Sequence, residues 1–315
     1  MVYGIGICKF VDRGPRGWID HDDALIIGRG RTADMGSQQP GVAVEPGVVA
    51  KPGGVAKRGV VVVGAGSGIG AAVAARFHDQ GDRVLGVDVR FTQETPFEQA
   101  VLDLRDLDAV GALIKRLETD GQGWDVLAYV AGIPGTFDAG DVLRVNFLGM
   151  RTLALGLLPV LRSGGSIVTV ASVAGLAWQA RGEALAGLLD ASTGEQVDAW
   201  QAQQDPAYAV YSTSKEASIL FSKKISGPAW QKYGIRVNTV SPGPTDTPIL
   251  GDFKKSMGDD TIEFVRSAAG RHGSVEDIAP VVTFLASDDA RWVNGQDIQV
   301  DAGVIAGMGA GPYAI

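Results

Sequence analysis

Cysteine is almost absent: one residue, Cys8, stands in a chain of 315. A single thiol cannot close an intrachain disulfide or build a thiolate metal cluster, so a reducing, cytoplasmic setting is expected. Histidine is scarce too. His21, His78 and His272 lie far apart and none sits at a metal-ligand spacing, so no metal site is expected. Basic residues are outnumbered, 28 against 36 acidic, for a net charge of −8. The pairs Lys223-Lys224 and Lys254-Lys255 are isolated and read as solvated faces, which argues against nucleic acid as a partner. No apolar run approaches the roughly 18 residues of a spanning helix, so no membrane partner is expected. No basic segment followed by an apolar stretch opens the chain, and no secretion signal is read.

What is present divides at about residue 57. Residues 1–57 read as a low-complexity extension: "PGVAVEPGVVAKPGGVAKRG" repeats Pro, Gly, Val and Ala with little periodicity, as a linker or tail does. Two readings of it stand. It is an appendage that packs through Val2, Ile5, Ile7 and Phe10, or it is upstream sequence, with the true start at Met35 or later. From residue 58 to 315 the pattern alternates. "VVVV" is a buried strand, "GIGAAVAARFHDQG" an amphipathic helix, "RVLGVDV" a second strand, and Gln99–Leu104 a short third. A helix follows over "RDLDAVGALIKRLETDG", then strand "DVLAYVAG" and a long helix from Val142 to Leu161. "SIVTVAS", "IRVNTVSPG" and "QDIQVDAG" read as strands, with helices over "YSTSKEASILFSKKI" and "VEDIAPVVTFLAS" between them. Continuous apolar strands alternating with helices predict an α/β single domain: a doubly wound parallel sheet with right-handed crossovers.

The first strand stops at Gly64, and glycines follow at 66, 68 and 70. A strand running straight into a helix aims the helix N-terminus, with its free N–H groups and positive dipole end, at the strand's carboxyl edge. That suits a pyrophosphate, and glycine is needed where backbone must touch ligand or partner helix. Asp88, 18 residues beyond Gly70, ends the second strand. A carboxylate there accepts bonds from adenosine ribose hydroxyls and repels a 2′-phosphate. Ser67 and Val89 offer no positive charge to a 2′-phosphate, whereas Arg90 could, so NAD is favoured over NADP. Further on, "YSTSK" sets Tyr211 and Lys215 one turn apart on one helix face. An ammonium beside a phenol stabilises the phenolate and is expected to lower its pKa.

With these elements in order, the chain from about Gly59 to Gly303 resembles the short-chain dehydrogenase/reductase family, whose fold is of the Rossmann type. Gly64, Gly68 and Gly70 match its glycine motif, with Ser67 and Ile69 between them, although Val63 stands where threonine is usual. Asp103-Leu104 matches the pair that flanks adenine, and Ala131-Gly132 the end of an Asn-Asn-Ala-Gly motif in which Tyr129-Val130 replaces both asparagines. "NTVSPGPTDTP" matches the segment in which Pro242, Gly243, Thr245 and Thr247 would meet the nicotinamide amide. Asn146 and Ser172 match the remaining catalytic positions. The resemblance implies that Ser172 hydrogen-bonds the substrate oxygen and Tyr211 exchanges the alcohol proton. It also implies that Lys215 holds the nicotinamide ribose and that Asn146 positions a relaying water.

Ser172 and Tyr211 lie 39 residues apart, more than the family usually allows. The excess is an insertion over 181–205, read as two short amphipathic helices around "STG". Because it lies between two catalytic positions, it is expected to cover the substrate mouth with Leu188, Leu189 or Trp200. Such an insertion resembles the subgroup of 3α-hydroxysteroid dehydrogenase/carbonyl reductase and coniferyl-alcohol dehydrogenase. It implies an NAD-dependent alcohol dehydrogenase or carbonyl reductase acting on a hydrophobic secondary or aromatic alcohol or ketone. The insertion abuts the helix pair through which the family often associates, so a homodimer or homotetramer of altered geometry is expected. The alternative is a non-catalytic NAD-sensing regulator on the same fold; sugar-nucleotide epimerisation ranks last.

Overall fold

The computed structural model describes residues 57–311. The readings of Val2, Ile5, Ile7 and Phe10, and of Cys8 and His21, lie outside the described residues. Seven strands form one parallel sheet in the order β3-β2-β1-β4-β5-β6-β7. They are β1 (Gly59–Val63), β2 (Arg83–Asp88), β3 (Glu98–Val101), β4 (Trp124–Tyr129), β5 (Leu161–Val170), β6 (Arg236–Pro242) and β7 (Asp297–Val300). Winding reverses between β1 and β4, which opens a crevice beyond their carboxyl ends; in open α/β sheets ligands bind at such a point.

The apolar run in β1 follows from its two covered faces. Val61 and Val63 enter one core with Leu127 and Tyr129, while Val60 and Val62 enter the other with Val126 and Ala128. The second face is covered by α1 (Gly68–Asp79) through Val73 and Phe77, together with residues from farther along the chain. The first face carries α2 (Leu107–Thr119), capped by the Asp106 carboxylate accepting the Ala109 N–H at 3.0 Å.

The expected helix from Val142 to Leu161 is broken. It comprises α3 (Ala139–Leu143), a π-turn over Arg144–Leu148, and α4 (Gly149–Leu157). The chain is extended again from Leu161, which pairs with Trp124 across a register shift. In the insertion, α5 (Gly182–Asp190) and α6 (Gly194–Gln201) form as expected, with Thr193 capping α6. The long helix α7 (Val210–Tyr233) follows and ends at Gly234, whose left-handed φ of 70° reverses the chain. Three helices with no counterpart in the sequence reading are α8 (Leu250–Met257), α9 (Asp259–Ala269) and α11 (Val304–Ala310); α10 (Val275–Leu285) lies between them and lends Ile278 and Val282 to the second core. Among the described residues, no helix is long and apolar enough to cross a membrane.

Candidate active site

The crevice at the winding reversal is a cavity of about 660 Å³. Every cofactor position named from the sequence lines it: Gly64, Ser67, Gly68, Ile69, Gly70, Asp88, Asp103, Leu104, Ala131, Gly132, Tyr211, Lys215, Pro242, Gly243, Thr245 and Thr247. Ser172 lines it too, whereas Asn146 does not.

The turn after β1 suits a pyrophosphate. Gly70 packs so tightly that a Cβ there would stand 1.9 Å from the Gly64 carbonyl oxygen. Gly68 has a φ of +54°, and a Cβ on it would face Thr247 across the crevice at 3.5 Å. Ser67 makes no side-chain cap bond, and the first turn of α1 holds no acid. The positive end of α1 is thus left for an anion from outside the chain. Asp88 both holds this turn and faces the crevice: one carboxylate oxygen accepts the Gly66 N–H at 2.8 Å, the other the Arg90 N–H at 3.3 Å. Asp103 is gripped by Arg105, whose guanidinium also reaches Asp141 at 2.8 Å. That grip lowers the Asp103 carboxyl from its ordinary value. These features fit a dinucleotide laid from Asp103 and Asp88 toward Tyr211.

At the opposite end, Lys215 Nζ donates to the Val170 carbonyl at 3.0 Å and lies 5.7 Å from the Tyr211 ring centroid. Ser172 caps the 3-10 segment Val173–Ala180 by accepting the Ala174 N–H at 3.1 Å. The expected lowering of Tyr211 by Lys215 does not occur in the unliganded chain. Burial pushes the phenol up to about 12, against a smaller downward pull from the Ser172 hydroxyl. Burial also brings the Lys215 ammonium down to about 8. Both side chains are out of water, and desolvation disfavours the charged form of each.

Asn146 lies in the π-turn beneath the crevice floor. Its Oδ1 accepts the Ile133 N–H at 2.8 Å, and its Nδ2 donates to the Ile133 carbonyl at 3.0 Å and Ser214 Oγ at 3.1 Å. Ser214 Oγ in turn donates to the Tyr211 carbonyl at 2.7 Å. The side-chain amide is therefore consumed by protein partners rather than open to the crevice.

The insertion does not wall the mouth. Leu188, Leu189 and Trp200 are absent from the lining. Leu185, Leu188, Leu189 and Val197 are buried in the first core with Leu143, Phe147 and Phe221. Trp200 Nε1 donates back to the Ala184 carbonyl at 3.3 Å. Amphipathic spacing announced burial correctly, but the surface that buries these leucines is formed by α3, the π-turn and α7. The apolar wall near Tyr211 comes instead from Ile133, Phe137, Ile249, Leu250 and Phe253, with the Phe253 ring 4.8 Å from that of Tyr211. The sequence reading missed these residues; the apolar pair Leu250 and Phe253, three apart, was the available signal.

Residues 58–184 match the family described as short chain dehydrogenase, and residues 199–305 match one described as enoyl-(acyl carrier protein) reductase. A coniferyl-alcohol dehydrogenase of Pseudomonas sp. (strain HR199 / DSM 7063) is 33% identical over 249 residues, covering 78% of this chain and 95% of its own. The chain belongs to the short-chain dehydrogenase/reductase family. A 3-alpha-hydroxysteroid dehydrogenase/carbonyl reductase of Comamonas testosteroni is 31% identical over 266 residues, covering 79% of this chain and 97% of its own. Among solved structures, a 3-alpha-hydroxysteroid dehydrogenase from Pseudomonas sp. B-0831, complexed with NADH, superposes with a TM-score of 0.70 at 26% identity. It covers 81% of this short-chain dehydrogenase/reductase and all of its own chain. The two family matches leave out 185–198, which lies inside the insertion.

Proposed function

We propose that this oxidoreductase transfers a hydride between NAD and a hydrophobic secondary or aromatic alcohol or its ketone. The observation that carries the reading is the convergence of Tyr211, Lys215 and Ser172 at one end of a crevice whose other end holds Asp88. The cofactor, when bound, supplies the hydride acceptor or donor. Ser172 Oγ hydrogen-bonds the substrate oxygen, and Tyr211 Oη takes the alcohol proton in oxidation or returns it in reduction. A phenol held near 12 is a poor base, so Lys215 must be charged and a further positive charge must stand near the ring before the proton moves easily. Asn146 acts from below, holding Ile133 and, through Ser214, the start of α7.

NAD is favoured over NADP because the Asp88 carboxylate, on the crevice wall, would accept bonds from ribose hydroxyls and repel a 2′-phosphate; Arg90, also on that wall, is the opposing feature. The apolar wall of Phe137, Ile249 and Phe253 supports a flat, hydrophobic substrate, as do the names of the coniferyl-alcohol and 3-alpha-hydroxysteroid relatives. A cytoplasmic homodimer or homotetramer completes the proposal, and sedimentation of the full chain tests the assembly.

The deciding experiment is oxidation of a panel of steroid, terpenoid and arylpropanoid alcohols, followed through NADH formation, with Tyr211→Phe alongside. We expect kcat to fall about a thousandfold in the variant. Unchanged turnover in the variant would overturn the role given to Tyr211, and no turnover of the panel by the parent chain would leave a non-catalytic NAD sensor as the better account. Tighter binding of NADPH than NADH in a fluorescence titration would overturn the Asp88 argument.

A further inference from the structure

The resemblance leaves Tyr129 without a role, because it stands where the family motif has asparagine. It is the last residue of β4, fully buried, and its phenol is held above its ordinary pKa by that burial. Its hydroxyl donates to the Val145 carbonyl. That carbonyl is an unusual one. In an unbroken α-helix it would accept the N–H of Gly149 four residues on. Here the Gly149 N–H goes to the Arg144 carbonyl, the bond that makes Arg144–Leu148 a π-turn. A helix carbonyl that loses its usual donor is costly to leave unpaired, and the Tyr129 hydroxyl donates to this one. The fit is close: a Cβ on Gly149 would come within 3.3 Å of the Tyr129 oxygen.

Asn146 is the next residue of the same π-turn, and it binds both backbone groups of Ile133. Two contacts thus join the exit of β4 to the π-turn: Tyr129 to Val145, and Ile133 to Asn146. The residues between them, Val130, Ala131 and Gly132, all line the crevice. We infer that Tyr129 is a positioning residue: its hydroxyl holds the π-turn that aims Asn146, and the pair of contacts fixes the crevice wall over residues 130–133. π-turns of this kind recur at functional sites because they re-aim one side chain without ending a helix. The kinetic part of this inference rests on the proposed hydride transfer; the structural part does not.

Tyr129→Phe removes only the hydroxyl. In the full chain without ligand, hydrogen–deuterium exchange is the first measurement. Peptides covering 130–135 and 144–149 should exchange about tenfold faster, while peptides from β1 and β6 keep their rates. No change at those two segments, or an equal rise everywhere, overturns the inference. The second measurement is turnover of whichever alcohol the parent chain oxidises. There Tyr129→Phe should lower kcat about tenfold. Adding Asn146→Ala should then cost less than about twofold beyond the Asn146→Ala variant alone, since both act through one contact pair. Independent, multiplicative losses, or an unchanged kcat in the single variant, overturn the role assigned to Tyr129. Should the parent chain oxidise no alcohol, the hydride-transfer reading fails, and the exchange rates still decide what Tyr129 does.

Discussion

The glycine turn after β1 and the insertion after β5 both depart from plain strand–helix winding, in opposite ways. Over Gly64–Gly70 the chain gives up side chains, so that backbone N–H groups at the start of α1 come to the crevice. Over 181–205 it adds 25 residues whose apolar side chains turn away from the crevice and into the first core. One segment makes a site by removing bulk; the other stabilises the floor of that site by supplying it. A ligand should therefore feel changes at the turn directly, and changes in the insertion only through the stability of α3, the π-turn and α7.

The largest expected effect is at the turn. Gly70→Ala places a methyl 1.9 Å from a backbone oxygen that cannot retreat without moving β1 or α1. We expect a loss of about 4 kcal/mol or more, shared between folding and NADH affinity. Near-normal binding would mean that the turn is looser than its packing indicates. Leu188→Ala comes next. Leu188 is fully buried, and its truncation should destabilise the chain by about 3 kcal/mol in urea unfolding. NADH affinity should hold within about twofold wherever the variant is folded. A selective loss of affinity would erase the contrast and return the insertion to the substrate mouth.

These two positions also show what was legible beforehand. The parallel α/β winding and the glycine turn followed from residue types at fixed spacing, because backbone geometry limits which residues can occupy them, while most of the cofactor wall was read through the family resemblance. The burial of Leu188 followed from helical periodicity, but its partner did not: spacing reports that a face is apolar and says nothing of which neighbour covers it. The 3-10 segment Val173–Ala180 carries the chain along α7 before the insertion begins, away from the mouth. Of α9, only Ile262 is buried, which leaves too weak a stripe to announce the helix. Asn146 was legible as a residue type, but the π-turn beneath it depends on Tyr129, a contact across 16 residues that no local pattern encodes. The raised Tyr211 pKa was missed because desolvation depends on the whole fold.

Lys215 sharpens the same contrast through pH. Its folded pKa, about 8, lies below the ordinary 10.5 because burial penalises the ammonium. Below about pH 8 the folded chain therefore carries the full cost of a buried charge. The cost lifts as pH rises from there and is gone above the unfolded value. Lys215→Met should stabilise the unliganded chain by about 2 kcal/mol at pH 6.5, after allowance for the lost bond to Val170. By about pH 10.5 the gain should vanish. Urea unfolding at the two pH values measures it. A pH-independent difference would mean that the ammonium reaches water and that the crevice is not the dry site its lining indicates.

The smallest expected effect lies where α6 of the insertion meets the π-turn. Arg144, in the π-turn beside Val145 and Asn146, forms an ion pair with Asp198 of α6 and lies 3.8 Å from Asp141 of α3. Asp198 is about half exposed, so solvent screens the pair. Asp198→Asn should change stability by no more than about 0.5 kcal/mol and leave NADH affinity and kcat within about twofold of the parent. Arg144 keeps Asp141 as an alternative anion, and the π-turn keeps its Tyr129 and Ile133 contacts. A tenfold fall in kcat would show that the insertion governs the angle of Asn146 through this one ion pair. The two regions would then act as a single device, and the insertion would be part of the catalytic apparatus rather than its support.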